Sequence, residues 1–243
     1  ASAPLVVAPV FDRALEEDET VAVTLLPGPY VTGTEKTATM EIGDYRLEVV
    51  WDGSGDMTWT QPDATGWSGA TYETNGFATF AGAGQGTVSL SGTITPGGVT
   101  VSTGAYTFAG SAIRGDGGLT VSGGALTLNN AASTYSGDAI IGVGAELYLY
   151  ENNRLPYGAG KGGATVDGSM ILNNINLTLN GLNGSASGLV DKPGDQARTL
   201  TLGAGDASGA FGGMIRRTAG VLLVTKTGGG TQTLSGTNRY NGA

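Results

Sequence analysis

Trp51, Trp59 and Trp67 are the only tryptophans in the 243-residue chain, and they recur every eight residues. Aromatic faces offer large contact areas with defined geometry, so one reading makes the three indoles stacking platforms for sugar rings. The other makes them an apolar cap over the end of a fold. The bulk of Val49, Val50 and Phe77 nearby favours the cap, because a sugar platform needs no such company. Between the first two indoles, Asp52-Gly53-Ser54-Gly55-Asp56 sets two carboxylates four residues apart in a glycine loop. Asp52 and Asp56 are thus weak candidates for a hard cation such as calcium. The loop lacks the further acids and the closing bidentate Glu of an EF-hand, which favours turn chemistry.

The chain contains no histidine and no cysteine. That removes serine–histidine and cysteine–histidine nucleophiles, imidazole bases and the usual zinc ligand sets. Glycoside hydrolysis by paired carboxylates needs two of them within roughly 5–10 Å. The acids after residue 73 are Asp116, Asp138, Glu146, Glu151, Asp167, Asp191, Asp195 and Asp206, scattered and mostly beside glycine or asparagine. Asp191-Lys192-Pro193-Gly194-Asp195 reads as a turn between coils, and Gly115-Asp116-Gly117-Gly118 as another. Arg216-Arg217 reads as a surface pair flanking a strand in preference to an anion site. No cofactor is expected, and the chain reads as non-catalytic.

The elements that would position these residues are short strands. With 44 glycines, 14% charged and 40% hydrophobic residues, the composition is too apolar for simple disorder and lacks the three-residue period of a collagen. No apolar run reaches the ~18 residues of a membrane-spanning helix, so no membrane insertion of this stretch is expected. Residues 1–73 hold 13 acids and 3 bases, whereas residues 74–243 hold 8 acids and 9 bases, which suggests two units of different kind. Neither has a basic stripe, so nucleic acid is not an expected partner.

Segments such as Thr87-Val88-Ser89-Leu90, Val99-Thr100-Val101, Leu119-Thr120-Val121 and Leu126-Thr127-Leu128 alternate apolar and polar residues between glycines. Strands this short are marginal alone. Stacking them in a coil, each paired with its counterpart one turn on, solves the problem. Residues 123–137 and 229–242 share a layout of glycine pair, strand ending in Leu, polar turn, aromatic and glycine, which is the mark of a repeat. Asn173, Asn174, Asn176, Asn180 and Asn183 lie among Ile171, Ile175, Leu177, Leu179 and Leu182. They read either as asparagines bonded to equivalents on neighbouring coils or as ordinary loop residues.

Lys226-Thr227-Gly228-Gly229-Gly230-Thr231-Gln232-Thr233-Leu234-Ser235-Gly236-Thr237-Asn238-Arg239-Tyr240-Asn241-Gly242 resembles the autotransporter-associated β-strand repeat, as do residues 123–137. It departs from the usual pattern at Gln232 and Arg239, both residues that a solvent face would accept. The stretch from Trp51 through Trp59, Trp67 and Phe80 to Phe108 is similar to the region preceding such repeats in large bacterial surface proteins. The resemblance implies an all-β, right-handed parallel β-helix over residues 49–243, exported, extracellular or displayed at the cell surface, with residues 49–80 as its Trp-rich N-terminal cap.

Residues 9–44 resemble the second half of a Calx-β-type sandwich domain, through Pro9-Val10-Phe11-Asp12, the run from Leu15 to Leu25, and Ala38-Thr39-Met40-Glu41-Ile42-Gly43-Asp44. A partial β-sandwich segment over 1–48 is implied, with Glu16, Glu17, Asp18, Glu19 and Asp44 its calcium candidates and a metal-free module favoured. Both ends of the chain read as cut from a longer protein. The expected function is structural or adhesive, through a β-helix of about 6–8 coils at roughly 20–30 residues each. Its expected partners are copies of itself, as a fibre, or a glycan or cell-surface ligand. The alternative is a carbohydrate-binding or polysaccharide-degrading β-helix.

Overall fold

The computed structural model describes residues 6–7, 19–29, 31, 33–43 and 47–241. The chain divides into two compact units, Ala1–Arg46 and Leu47–Ala243. In the first, β1 (Glu19–Thr24) pairs antiparallel with β2 (Thr37–Ile42) over six residues, Glu19 opposite Ile42 and Thr24 opposite Thr37. Thr24 and Thr37 close the end of this ribbon with a hydroxyl contact of 3.0 Å.

The second unit is a parallel β-solenoid of about seven turns. Its strands in chain order are β3 (Glu48–Trp51), β4 (Thr58–Trp59), β5 (Trp67–Ser68), β6 (Phe77–Ala81), β7 (Gly86–Leu90), β8 (Gly98–Thr103), β9 (Ala105–Gly110) and β10 (Leu119–Val121). There follow β11 (Ala125–Asn130), β12 (Ala139–Ile141), β13 (Glu146–Leu149), β14 (Ala164–Val166), β15 (Ser169–Leu172) and β16 (Leu177–Leu179). The last are β17 (Leu182–Asn183), β18 (Leu189–Lys192), β19 (Ala197–Leu202), β20 (Gly209–Phe211), β21 (Met214–Arg217), β22 (Val221–Lys226) and β23 (Gln232–Leu234). One face runs β3-β6-β8-β10-β12-β14-β17, a second runs β4-β7-β9-β11-β13-β15-β18-β21, and a third forms late as β16-β19-β22.

Alternation along each strand sends every second side chain inward, and parallel register stacks like on like about 4.8 Å apart. On the first face Trp51, Phe80, Val101, Val121, Ile141 and Val166 form one inward column. On the second, Tyr106, Leu126, Leu147, Met170, Val190 and Ile215 form another. Leu177, Leu200 and Val224 do the same on the third. All of these side chains are buried. Each such burial contributes about 1.5–3 kcal/mol, and no rung could hide its apolar side without its neighbours. Corners need left-handed backbone where they are tight, as Gly124 shows at φ 68° between β10 and β11.

The two segments with matching sequence layout do not stack over one another. Leu128 lies in β11 on the second face, whereas Leu234 lies in β23, which pairs with β20 and continues the first face through the bridge of Phe211 to Gly184. Glycine corner, alternating strand and polar turn are a local solution that serves any face. Which face it serves depends on how many residues the preceding rungs consumed, and those lengths vary: Leu119 pairs with Ala139, but Ala139 pairs with Ala164.

At the N-terminal end the first coil is closed. Strand β5 turns back antiparallel onto β3, with Trp67 opposite Trp51, so the first face ends in a strand of opposite sense.

Candidate functional site

The indoles lie inside that closed end. Trp51 and Trp59 expose no surface and Trp67 only 6%. Trp67 stacks on Tyr72 at 4.7 Å, Trp59 meets Tyr72 edge-on at 5.2 Å, and Trp51 meets Trp67 edge-on at 5.1 Å. Phe80 and Phe108 of the next two rungs complete the cluster. Buried and packed edge to face with one another, Trp51, Trp59 and Trp67 have no open ring face to offer a sugar, and of the two readings the arrangement fits the apolar cap. Opening the cluster would forfeit about 0.5–1.5 kcal/mol per aromatic pair beyond the area itself. Gly84 belongs to the same packing: Trp51 Nε1 donates to its carbonyl at 3.1 Å, and a Cβ at Gly84 would stand 2.7 Å from that nitrogen.

Asp63, which sequence reasoning passed over, organises the cap from within. It is 4% exposed and accepts Trp67 Nε1 at 3.1 Å, the Thr60 amide at 3.3 Å and the Thr65 amide at 3.0 Å. The sequence signal was there, in the turn-forming Pro62-Asp63-Ala64-Thr65. Its partner four residues on was not distinguishable from an ordinary core tryptophan.

The calcium candidates serve their own turns. Asp52 accepts the Ser54 amide at 2.8 Å and the Ser68 hydroxyl at 3.2 Å, and these bonds hold its carboxyl below the ordinary aspartate range. Asp56 accepts the Thr58 amide at 3.1 Å. Both are Asx-type contacts, which turns of this composition make without a metal. Glu16, Glu17, Asp18 and Asp44 lie outside the described residues, and Glu19 opens β1 on an exposed position. Among the described residues no group of three or more His, Cys, Asp or Glu side chains is placed to hold a metal ion.

Lys192 ends β18 with its side chain covered by the chain, and its ammonium serves the turn that follows. Its ammonium donates to the carbonyls of Gly194, Gln196 and Ala219, the last at 3.2 Å. Three acceptors match the three protons of an ammonium. Burial still lowers its pKa from the ordinary lysine value. Beside it, Asp191 accepts from Arg216 Nη2 at 2.9 Å and from the Thr218 hydroxyl at 2.9 Å. Arg216 is therefore tied across the ladder between β18 and β21, and Arg217 is exposed.

The asparagines act between coils, but upon backbone in place of one another. Asn152 Oδ1 accepts the Asn176 amide at 2.7 Å, Asn153 Oδ1 the Thr178 amide at 2.9 Å, Asn176 Oδ1 the Thr199 amide at 2.9 Å and Asn183 Oδ1 the Ala210 amide at 3.0 Å. Each stands in for a strand carbonyl where the ladder is interrupted. Gln232 does likewise: its half-buried side chain pairs with both backbone groups of Leu182.

The largest interruption produces a groove. Between β13 and β14 the chain leaves the alternating pattern over residues 150–163, of which Leu155 is packed in the core. A cleft of about 250 Å³ opens there, lined by Ser133, Thr134, Asn153, Pro156, Tyr157 and Lys161 among others. Lys161 Nζ ties its two walls, donating to the Thr134 carbonyl at 2.6 Å and the Ser136 hydroxyl at 3.3 Å. Asn180, 4% exposed, grips the excursion from the following rung: it accepts the Gly158 amide at 2.7 Å and donates to the carbonyls of Gly158 at 2.9 Å and Lys161 at 2.6 Å. Tyr157 is 46% exposed at the rim. No carboxylate is among the lining residues. The sequence held a trace of this site, the loss of alternation over Tyr150-Glu151-Asn152-Asn153-Arg154-Leu155-Pro156-Tyr157.

No protein-family model, curated protein or solved structure matches the chain. What is established is the class: a parallel β-solenoid with a closed aromatic N-terminal end. Among the described residues no helix is long and apolar enough to cross a membrane.

Proposed function

We propose that the chain is a non-catalytic structural and adhesive segment of a larger bacterial protein, working outside the cell or at its surface. The observation that carries this reading is the unbroken ladder from β3 to β17 and from β4 to β21. A stack in which each rung is hydrogen-bonded and packed to the next resists extension and carries a long lateral surface, which is what a spacer or adhesin needs. The outward positions Thr79, Thr100, Thr120 and Thr165 of the first face give that surface little charge. The likeness of residues 226–242 to the autotransporter-associated repeat supports export, and the β1–β2 ribbon is compatible with a Calx-β-like module.

The partners in this reading are a glycan or another cell-surface ligand, or further copies of the chain. The test uses one preparation of the 243-residue chain. Release of reducing sugar from a polysaccharide panel above the blank would overturn the non-catalytic half. The adhesive half predicts retention on glycan- or cell-coated surfaces, or self-association by light scattering. Neither retention nor association would overturn it.

A further inference from the structure

We propose that the groove beside the 150–163 excursion is a subsite for a single pyranose ring of a glycan, with Tyr157 as its stacking face. The proposal rests on the adhesive reading and adds where the ligand sits and of what class it is. The volume decides the size of the ligand: about 250 Å³ falls just under the roughly 300 Å³ at which small-molecule clefts begin, which suits one ring and not an enclosed oligomer.

The lining decides its chemistry. A pyranose has an apolar face of C–H groups and a belt of hydroxyls. Tyr157 supplies a half-exposed aromatic ring, and Leu155, fully buried, with Pro156 an apolar floor. Around them stand hydroxyl, amide and ammonium groups with donors still to place. Ser133 Oγ accepts from the Ile113 amide and from Asn130 Nδ2, both at 3.3 Å, which leaves its own proton to donate. Asn153 uses Oδ1 on Thr178 and keeps its amide donors. Lys161 uses two of three protons on Thr134 and Ser136, and the third favours a ring that carries a carboxylate.

The groove is also held in shape before any ligand arrives. Asn153 pins one side of the excursion to β16, Asn180 pins the other, and Lys161 spans the walls. Binding therefore orders little that is not already ordered, which is where weak sugar affinity is usually lost. The three buried tryptophans offer no such face, whereas Tyr157 combines an exposed ring with the polar lining of the groove.

The experiment is a glycan array of neutral and uronate-containing glycans probed with the 243-residue chain and its Tyr157→Ala and Tyr157→Phe variants. Because the ring is exposed, both variants keep the parent's melting curve. The expected result is retention on at least one glycan, strongest among uronates, lost tenfold or more in Tyr157→Ala and kept in Tyr157→Phe. Retention that Tyr157→Ala leaves unchanged overturns the groove while sparing the adhesive reading. No retention on any glycan overturns the groove as well.

Discussion

Gln232 Nε2 donates to the Leu182 carbonyl at 2.7 Å while Gln232 Oε1 accepts the Leu182 amide at 3.0 Å, a closed pair joining residues 50 positions apart. The amide side chain reaches past the intervening strand β20 because residue 209 is glycine. A Cβ there would stand 2.6 Å from Gln232 Oε1 and 2.5 Å from the Leu182 carbonyl oxygen. One side chain thus binds three successive rungs of the first face.

Gly209→Ala should break this clamp by steric force at a cost of about 1–3 kcal/mol. Gln232→Ala should cost about 1–2 kcal/mol through two lost hydrogen bonds. In a double-mutant cycle followed by urea unfolding, the combined variant should lose less than the sum, because each change removes the same contact. Additive losses would show that the clamp does not hold in solution.

Asp63→Ala should destabilise the solenoid by about 2–4 kcal/mol, since Trp67 Nε1 and the amides of Thr60 and Thr65 lose their acceptor in a buried place. Asp63→Asn keeps part of the acceptor set and should lose less. Tryptophan fluorescence during unfolding reports on the cap directly, because all three indoles lie in it. A parent-like midpoint for Asp63→Ala would remove Asp63 from the account of the cap.

Lys192→Met preserves the apolar stem but strips the carbonyls of Gly194, Gln196 and Ala219 of their donor. A loss of about 1–3 kcal/mol is expected. Amide exchange should quicken in residues 193–197, where the turn into β19 is held by that ammonium. Unchanged exchange there would mean that the stem alone matters.

Burial pushes the Tyr72 and Tyr135 hydroxyls well above the ordinary tyrosine value, and for Tyr135 the Asp138 carboxylate adds to the effect. The unfolded chain gives up these protons near pH 10 while the folded chain keeps them. Their contribution is whole below about pH 10 and is lost as pH rises beyond it, so the unfolding midpoint should fall steeply on the alkaline side. Tyr135→Phe should flatten that fall and be neutral or slightly stabilising at pH 7, because its buried hydroxyl has no partner among the described residues. Tyr72→Phe should cost about 1 kcal/mol, having lost the bond to the Gly76 carbonyl at 3.1 Å.

The solenoid was legible from residue pattern because its causes are local. Alternation in Leu119-Thr120-Val121 or Leu126-Thr127-Leu128 states which side chains point inward whatever surrounds them, and glycine at a corner such as Gly124 states where the chain can turn. The asparagines left two readings open, bonds between coils or ordinary loop positions. They did not show that the acceptors' partners are backbone amides, because that depends on which ladder positions are vacant. The groove was visible only as a gap in the pattern.

The sequence by itself thus determined short strands, tight corners and a coil to stack them. Only the tertiary structure decided which rung meets which, and with that everything that depends on register. It placed Leu234 on a different face from Leu128, set the Trp67 indole on Asp63, covered Lys192 beneath the turn it serves, carried Gln232 past Gly209 and brought residues 132–134 against Lys161. The physical reason is that alternation is a property of neighbours in the chain, whereas register is settled between rungs of unequal length. The 150–163 excursion lengthens one rung, yet Ile141 still meets Val166, so the partners are set by packing in the stack and not by spacing along the chain.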